Sequence, residues 1–119
     1  MSLTLSVIIP TLNEERYLSK ALESLELIAP DEVIVVDGGS TDKTCEIAHD
    51  FGAKVILSDR GRGKQLKIGA EIAKGDLLFF MHADCQILNK ICLKGIYKKG
   101  IRAGYFRLTY NTKEFSLKL

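Results

Sequence analysis

The chain has 119 residues, of which 46% are apolar and 27% are charged, and its formal net charge is +2. These values indicate one folded domain and exclude a disordered chain, which combines low hydrophobicity with high net charge. The weak net charge also predicts no nucleic-acid partner, because binding to a phosphate backbone needs a clustered basic surface.

The sequence predicts neither a transmembrane segment nor a signal peptide. Its longest apolar run, 77–81, is far shorter than the roughly 20 residues that cross a bilayer, and its first residues lack the basic region of a signal peptide. The cysteines Cys45, Cys85 and Cys92 match no zinc-binding spacing. We therefore expect reduced thiols in a cytoplasmic protein.

The chain begins with a predicted strand and helix. The β-branched run 5–9 indicates a buried strand that ends at Pro10. Asn13 is expected to cap the helix that follows, with Glu14 and Glu15 in its positive first turn. Apolar residues then recur at helical spacing and predict one buried face, made of Leu18, Ala21, Leu22 and Leu25.

A second strand and helix follow Pro30, which ends the first helical unit. The run 33–36 predicts a buried strand, closed by the turn 37–40. A helix is expected over 41–51, with a Ser or Thr cap at its start and Gly52 at its end.

The rest of the chain continues this alternation. The predicted elements are a strand at 54–57, a Gly- and Arg-containing loop at 59–63, a helix to residue 73, a strand at 77–81, a helix from Asn89 to residue 99, and strands at 104–110 and from residue 115. This order predicts an α/β fold with a mostly parallel sheet and helices on both faces.

A carboxylate follows three of the predicted strands, namely Glu14, Asp37 and Asp84. Ligands of such sheets bind at the carboxyl ends of the strands, so this convergence predicts a ligand site. Asp37 precedes two glycines that permit a sharp turn. We expect its oxygens to lie free at the rim of the site, and the alternative is an aspartate that only stabilises the turn.

Two further features fit an anionic ligand. His82 and Asp84 are expected on one side of an extended segment, and the Asp84 carboxylate is the better ligand for Mg²⁺ or Mn²⁺. His82 is either a second ligand or a structural hydrogen-bonding residue. A basic group forms either a phosphate-binding loop or a solvated surface, and its members are Arg60, Arg62, Lys64 and Lys67.

Three segments resemble the signatures of family-2 glycosyltransferases. They are Ser6–Glu14 (SVIIPTLNE), Glu32–Thr44 (EVIVVDGGSTDKT) and Gly61–Cys85. The resemblance covers about residues 5–110 and keeps the order and spacing of the family's motifs. His82 stands where most members carry the first aspartate of Asp-x-Asp, which resembles a His-Ala-Asp subgroup.

The resemblance implies a Rossmann-like GT-A fold, a nucleoside-diphosphate sugar donor, a Mn²⁺ or Mg²⁺ ion and inverting transfer. It implies that Pro10, Thr11 and Glu14 border the nucleoside, and that Asp37 hydrogen-bonds the base, typically uracil. Arg62 would lie near the base or the diphosphate. Asp84 would hold the ribose, diphosphate and metal, and it is the one predicted metal ligand.

No catalytic residue is assigned from the sequence. The family's general base is an acidic residue well beyond the metal motif, and the only carboxylate after Asp84 is Glu114, which we do not nominate. We expect residues 1–119 to form a single donor-binding domain without the acceptor-binding part, and the acceptor is not indicated.

Several functions remain open. The chain is either an incomplete transferase, a transferase completed by another chain or a homodimer, or a non-catalytic nucleotide-binding or interaction module. A nucleotidyltransferase is disfavoured, because Pro10–Glu14 occupies the place of its glycine-rich loop. Sheet surface left uncovered by an absent second half predicts self-association.

Overall fold

The computed structural model describes residues 3–99, 105–109 and 114–118. Strands and helices alternate along these ranges as the sequence predicts. The elements are β1 (Leu5–Thr11), α1 (Leu18–Ser24), a 3₁₀ turn (Leu25–Ile28), β2 (Glu32–Asp37), α2 (Thr44–Phe51), β3 (Lys54–Leu57), α3 (Arg62–Ile72), β4 (Leu77–Phe80), α4 (Leu93–Lys98), β5 (Tyr105–Thr109) and β6 (Glu114–Lys118).

The first four strands form one parallel sheet in the order β3-β2-β1-β4. In its register Ile8 of β1 lies between Ile34 of β2 and Phe80 of β4. The chain thus builds outward from β1 in one direction through β3, and then crosses to the other side of β1 to add β4. The switch point of this α/β sheet lies between β1 and β4, where a ligand crevice is expected.

The sheet carries a core on each face. Alternate residues of a strand point to opposite faces, and so Val7 and Ile9 pack with α1 and α2, whereas Ile8 faces α3. The predicted apolar face of α1 is buried in the first core. These two layers confirm the prediction of an α/β fold with helices on both faces of a mostly parallel sheet.

Helix α3 lies close against the sheet at Gly69. A Cβ atom at this position would overlap Ile8 Cγ2 and would lie 3.2 Å from Val36 Cγ2. Glycine therefore permits the helix backbone to rest directly on β1 and β2. This contact fixes the height of α3 above the carboxyl ends of both strands.

The prediction that Pro10 ends the first strand is wrong. β1 continues to Thr11, and Pro10 pairs with Val36. Ile8 accepts a hydrogen bond from the N–H of Met81, just after β4 ends. Residues two apart in a strand direct their backbone groups to the same side, so the nitrogen of Pro10 also faces the side of β4. The pairing with β4 ends before Pro10, and the missing N–H therefore costs no hydrogen bond of the sheet.

The predicted cap at Asn13 is also wrong. Asn13 has a positive φ of 53°, and its Oδ1 accepts the N–H of Thr41 at 2.8 Å. Helix α1 begins only at Leu18, so Glu14 and Glu15 lie before its first turn. The asparagine side chain satisfies the neighbouring loop instead of a helix end.

Two other helix starts lie later than predicted, and one predicted end is confirmed. Helix α2 begins at Thr44, whose N–H donates to Asp42 Oδ1 at 2.9 Å. Helix α4 begins at Leu93 rather than near Asn89, and the Sγ atom of Cys92 accepts the N–H of Gly95. Gly52 ends α2 in the left-handed conformation, as predicted.

β5 and β6 pair antiparallel as a separate two-stranded sheet. They fall where the two strands nearest the end of the sequence are predicted. Across the described ranges, the helices fall short of the length and apolar character that crossing a bilayer requires.

Candidate functional site

A pocket of about 240 Å³ opens at the carboxyl ends of β1 and β4, at the switch point of the sheet. The loops after β1, β3 and β4 contribute its walls. Five of the six residues predicted for the site line this pocket, namely Pro10, Thr11, Glu14, Arg62 and Asp84. The sixth, Asp37, lies outside the lining.

The pocket places carboxylates and guanidinium groups on shared walls. Glu14 and Asp84 line it together with Arg60 and Arg62. Partial burial raises the pKa of Glu14 above 4.5, the negative charges of Asp84 and Asp42 raise it further, and Arg62 opposes them. The carboxylates therefore repel one another, and a cation between Glu14 and Asp84 would relieve this repulsion.

The loop after β4 presents His82 and Asp84 to the pocket from a turn. The N–H of Cys85 donates to the carbonyl of His82 at 3.2 Å, so the prediction of an extended segment is wrong. Ala83 and Cys85 are buried, whereas His82 and Asp84 are exposed. The apolar residues anchor the turn, and the two polar side chains still share the pocket.

Asp37 lies beneath the site with its oxygens occupied. Its side chain is buried, and it accepts four hydrogen bonds from N–H and O–H groups, namely the hydroxyls of Thr11 and Ser40 and the backbone N–H groups of Gly39 and Ser40. The thiol of Cys45 also hydrogen-bonds to it. Burial raises the pKa of Asp37, but these hydrogen bonds outweigh burial and hold the pKa below 3.8. The expectation that its oxygens lie free at the rim is wrong.

The loops after β1 and β2 bind each other through side chains. Asn13 donates its N–H to Ser40 Oγ at 2.8 Å, and Glu14 donates its N–H to Thr44 Oγ1 at 2.7 Å. Glu15 donates its N–H to Asp42 Oδ2 at 3.2 Å. Much of the first two signature segments therefore serves to join two loops, and Thr44, which sequence analysis missed, is buried in that joint.

Gln65 is a second residue that sequence analysis missed. Its Nε2 donates to the carbonyls of Thr11 at 2.9 Å and Val36 at 2.8 Å, and its Oε1 accepts the N–H of Gly61 at 3.1 Å. It is 4% exposed. The available signal was its spacing, since Gln65 stands at i, i+4 and i+7 with Gly69 and Ile72 on the inner face of α3, where a polar residue is unexpected.

The basic group divides into two parts. Arg60 and Arg62 line the pocket, whereas Lys64 forms a solvent-exposed ion pair with Asp59 at 3.9 Å. Lys67 is exposed on α3, outside the lining. The two arginines are thus the cations of this group that face a pocket ligand.

The described part of the chain offers two carboxylates to a metal ion in the pocket. Within the described residues, no three His, Cys, Asp or Glu side chains are grouped so that they could hold one. Mg²⁺ and chemically similar ions are commonly held by one or two carboxylates together with phosphate oxygens of a substrate. Glu14 and Asp84 supply two carboxylates to one pocket.

Comparison with known sequences finds the same family along most of the chain. The sequence model of the family described as glycosyl transferase family 2 matches residues 6–106. A 4,4'-diaponeurosporenoate glycosyltransferase of Staphylococcus haemolyticus is 38% identical over 111 residues, covering 86% of this chain and 30% of that protein. A hexosyltransferase of low-salt glycan biosynthesis from Haloferax volcanii is 41% identical over 88 residues, which cover 69% of this chain and 21% of that protein.

Solved structures share the fold. S. aureus TarS in complex with UDP has a TM-score of 0.67 at 31% identity, over 80% of this chain and 31% of that one. A second structure is glucosyl-3-phosphoglycerate synthase from Mycobacterium tuberculosis in complex with Mn²⁺, UDP and glucosyl-3-phosphoglycerate. It has a TM-score of 0.60 at 30% identity, over 71% of this chain and 36% of that one.

This chain spans 30% of the length of the Staphylococcus relative and 36% of the Mycobacterium synthase chain. The family match to residues 6–106 includes the residues that line the pocket. The chain belongs to glycosyl transferase family 2 and has the Rossmann-like GT-A fold.

Proposed function

We propose that the pocket binds a nucleoside-diphosphate sugar, with UDP as the nucleotide, as the donor for sugar transfer to an acceptor hydroxyl. The observation that carries this proposal is the meeting of two arginines and two carboxylates at the switch point of the sheet. Related structures contain UDP or UDP-GlcNAc, which supports the choice of nucleotide.

Each pocket residue has a proposed part. Pro10 and Thr11 border the nucleoside, and Arg62 faces the diphosphate together with Arg60. Asp37 hydrogen-bonds the base only if one of its four internal hydrogen bonds is exchanged for one from the ligand. The Ser40 hydroxyl is the exchangeable donor, because its proton can rotate about the Cβ–Oγ bond while Oγ still accepts the N–H of Asn13 and both backbone N–H groups hold the carboxylate.

Asp84 is the proposed ligand of a divalent cation, with Glu14 as a second carboxylate in reach of the same space. Carboxylate oxygens suit Mg²⁺ and Mn²⁺ equally, and the Mn²⁺ in the Mycobacterium synthase favours Mn²⁺ for the first trial. When bound, such an ion acts as a Lewis acid on the diphosphate leaving group. The His-Ala-Asp subgroup, in which His82 replaces an aspartate, belongs to the same proposal.

Sugar transfer breaks the bond between the anomeric carbon and the diphosphate, and negative charge grows on the departing oxygen. Arg60 and Arg62 would stabilise that charge from positions fixed before the reaction. The attacking hydroxyl also needs a general base, and we assign that part to no residue of this chain; the side chain of Glu114 lies outside the described residues. A cytoplasmic location and self-association complete the proposal.

Calorimetric titration of UDP into the purified chain, with and without Mn²⁺, tests the proposal. We expect binding that strengthens with Mn²⁺. Asp84→Asn should weaken the Mn²⁺-dependent affinity by about 10- to 100-fold, the scale for losing a charged interaction. Arg62→Met should weaken binding with and without the ion.

Asp59→Asn is the matched control, because Asp59 lies on the same side of the sheet but outside the pocket. Its affinity should equal that of the wild type. Absence of UDP binding under every condition would refute the donor site and would leave a structural or interaction module as the function. Equal affinity of the wild type and Asp84→Asn in Mn²⁺ would remove Asp84 from the metal site.

A further inference from the structure

The side-chain amide of Gln65 joins the three chain segments that meet below the pocket. It donates to the carbonyls of Thr11 and Val36 near the carboxyl ends of β1 and β2, and it accepts from the N–H of Gly61, just before α3. Both protons of its amide nitrogen are used, and it is almost completely buried. Gln65 also lines the pocket, but its amide has no N–H left to donate to a ligand. Its hydrogen bonds instead act on the groups that it holds.

The space around this amide is closed by Gly38. A Cβ atom at Gly38 would lie 3.0 Å from Gln65 Oε1 and 3.2 Å from Arg60 Cα. The N–H of Gly38 also donates to the carbonyl of Thr11, which Gln65 shares. Both the loop after β2 and the Arg60 backbone are thus packed around one side chain.

The segments that Gln65 bonds to include the two arginines of the pocket and Thr11, which is proposed to border the nucleoside. Gly61 lies between Arg60 and Arg62, and all three line the pocket. The guanidinium groups have long flexible side chains, so their reach depends on where the backbone of this loop is fixed. The position of this loop relative to β1 also sets the distance from the arginines to Glu14 and Asp84.

We propose that Gln65 is a positioning residue, which fixes the Arg60–Arg62 loop against the ends of β1 and β2 so that its arginines meet the diphosphate. This inference rests on the proposed function for its ligand. An amide is required because the position needs two donated hydrogen bonds and one accepted hydrogen bond from a side chain of this length. Neither a carboxylate nor an apolar side chain of similar size supplies that combination.

Gln65→Met tests the positioning, because it keeps the length of the side chain and removes all three hydrogen bonds. We expect its UDP affinity in Mn²⁺ to fall by about 10- to 100-fold, as when outer-shell partners of a ligand site are lost. Leu66→Ala is the control on the same helix, since Leu66 packs against the core of Ile8, Ile34 and Val36 without joining this network. It should lower the Tm and leave the Kd unchanged.

Gln65→Glu adds a readout that loss of packing cannot imitate. At pH 8 its carboxylate would face the carbonyls of Thr11 and Val36 without a proton to donate, and we expect UDP to bind about tenfold more weakly than to the wild type. Burial beside carbonyl oxygens favours the protonated acid. At pH 5.5 the protonated acid should donate one hydrogen bond again, and the ratio of the Kd of Gln65→Glu to the Kd of the wild type should be smaller than at pH 8.

Amide hydrogen exchange of Gly61 separates this inference from the proposed function. The amide should be protected in the wild type and should exchange faster in Gln65→Met, whether or not a nucleotide is present. If the wild type binds no UDP, the donor site is refuted, and Gly61 exchange still shows whether Gln65 orders the loop. Wild-type affinity in Gln65→Met, or equal losses of affinity in Gln65→Met and Leu66→Ala, would overturn the positioning role.

Discussion

At the scale of single residues, hydrogen bonds decide how charged and polar groups are accommodated. Asp37 is 1% exposed, a position that disfavours an ionised carboxylate unless donors surround it. Four donated hydrogen bonds from Thr11, Gly39 and Ser40 meet that need. The same bonds orient the turn after β2, so the carboxylate has a structural part whatever its contact with a ligand.

Asp37→Asn should destabilise the fold at pH 7 by about 1–3 kcal/mol, because an amide nitrogen would meet donors where the carboxylate accepted. The folded-state pKa of Asp37 lies below 3.8. Its contribution to stability is therefore complete above pH 3.8 and is lost as the pH falls through the lower folded-state pKa. The difference in unfolding free energy between wild type and variant should shrink in that acidic range.

Urea unfolding measured from pH 7 down to pH 2 checks this expectation. Asp50→Asn, at an exposed position of α2, is the control and should follow the wild type. A stability difference between Asp37→Asn and wild type that stays constant down to pH 2 would contradict the role assigned to the ionised carboxylate.

At the scale of elements, the position of α3 depends on a residue without a side chain. Glycine in a helix interior costs about 1 kcal/mol relative to alanine, so Gly69 would be unfavourable if α3 stood apart from the sheet. The overlap of an added Cβ with Ile8 explains its presence. Strand β1 and helix α3 can pack closely because glycine has no side chain at this position of the helix.

Gly69→Ala should therefore destabilise the protein, although alanine is the better helix former. We expect a loss of about 1–3 kcal/mol from overpacking. Gly63→Ala, on the same helix with nothing within 4 Å of an added Cβ, should be neutral or stabilising. Thermal unfolding of both variants compares the effects, and a rise in Tm for Gly69→Ala would show that α3 packs less closely.

At the scale of the whole molecule, the sheet exposes apolar surface at the strand β4. Leu78 and Phe80 pair with Ser6 and Ile8, and so they lie on the sheet face that α3 covers over β1 and β2. They are nevertheless 42% and 47% exposed. An apolar patch on an edge strand favours contact with another chain, and we therefore propose that any self-association uses this patch.

Phe80→Lys should reduce self-association, because a charge would enter the apolar patch. Phe51→Lys is a closely matched control, since Phe51 is 44% exposed but lies at the end of α2, away from this edge. Sedimentation velocity over a range of concentrations compares the three proteins. A wild type that stays monomeric at the highest concentration would contradict the expectation, and an equal effect of both substitutions would place the contact elsewhere.

Local patterns predicted most of the elements but misplaced several of their ends. The apolar run 33–36 and the helical spacing of Leu18, Ala21 and Leu22 carry their own signal, because burial repeats with the period of each element. Pro10 and Asn13 were misinterpreted for one reason. Their usual local effects, ending a strand and capping a helix, were overridden by neighbours distant in sequence, namely strand β2, which pairs with Pro10, and the loop after β2, which Asn13 contacts.

The alternation of strands and helices, the family motifs and the edge of the sheet where a ligand site is expected can be read from local sequence, because periodicity and chain order carry that information. The enclosure of Asp37, the contact of Asn13 with a second loop and the hydrogen bonds of Gln65 to β1 and β2 follow from tertiary packing. Gln65 and Thr11 are 54 residues apart in the chain. A hydrogen bond over such a separation exists only once β1, β2 and α3 are packed, so no local pattern can reveal it.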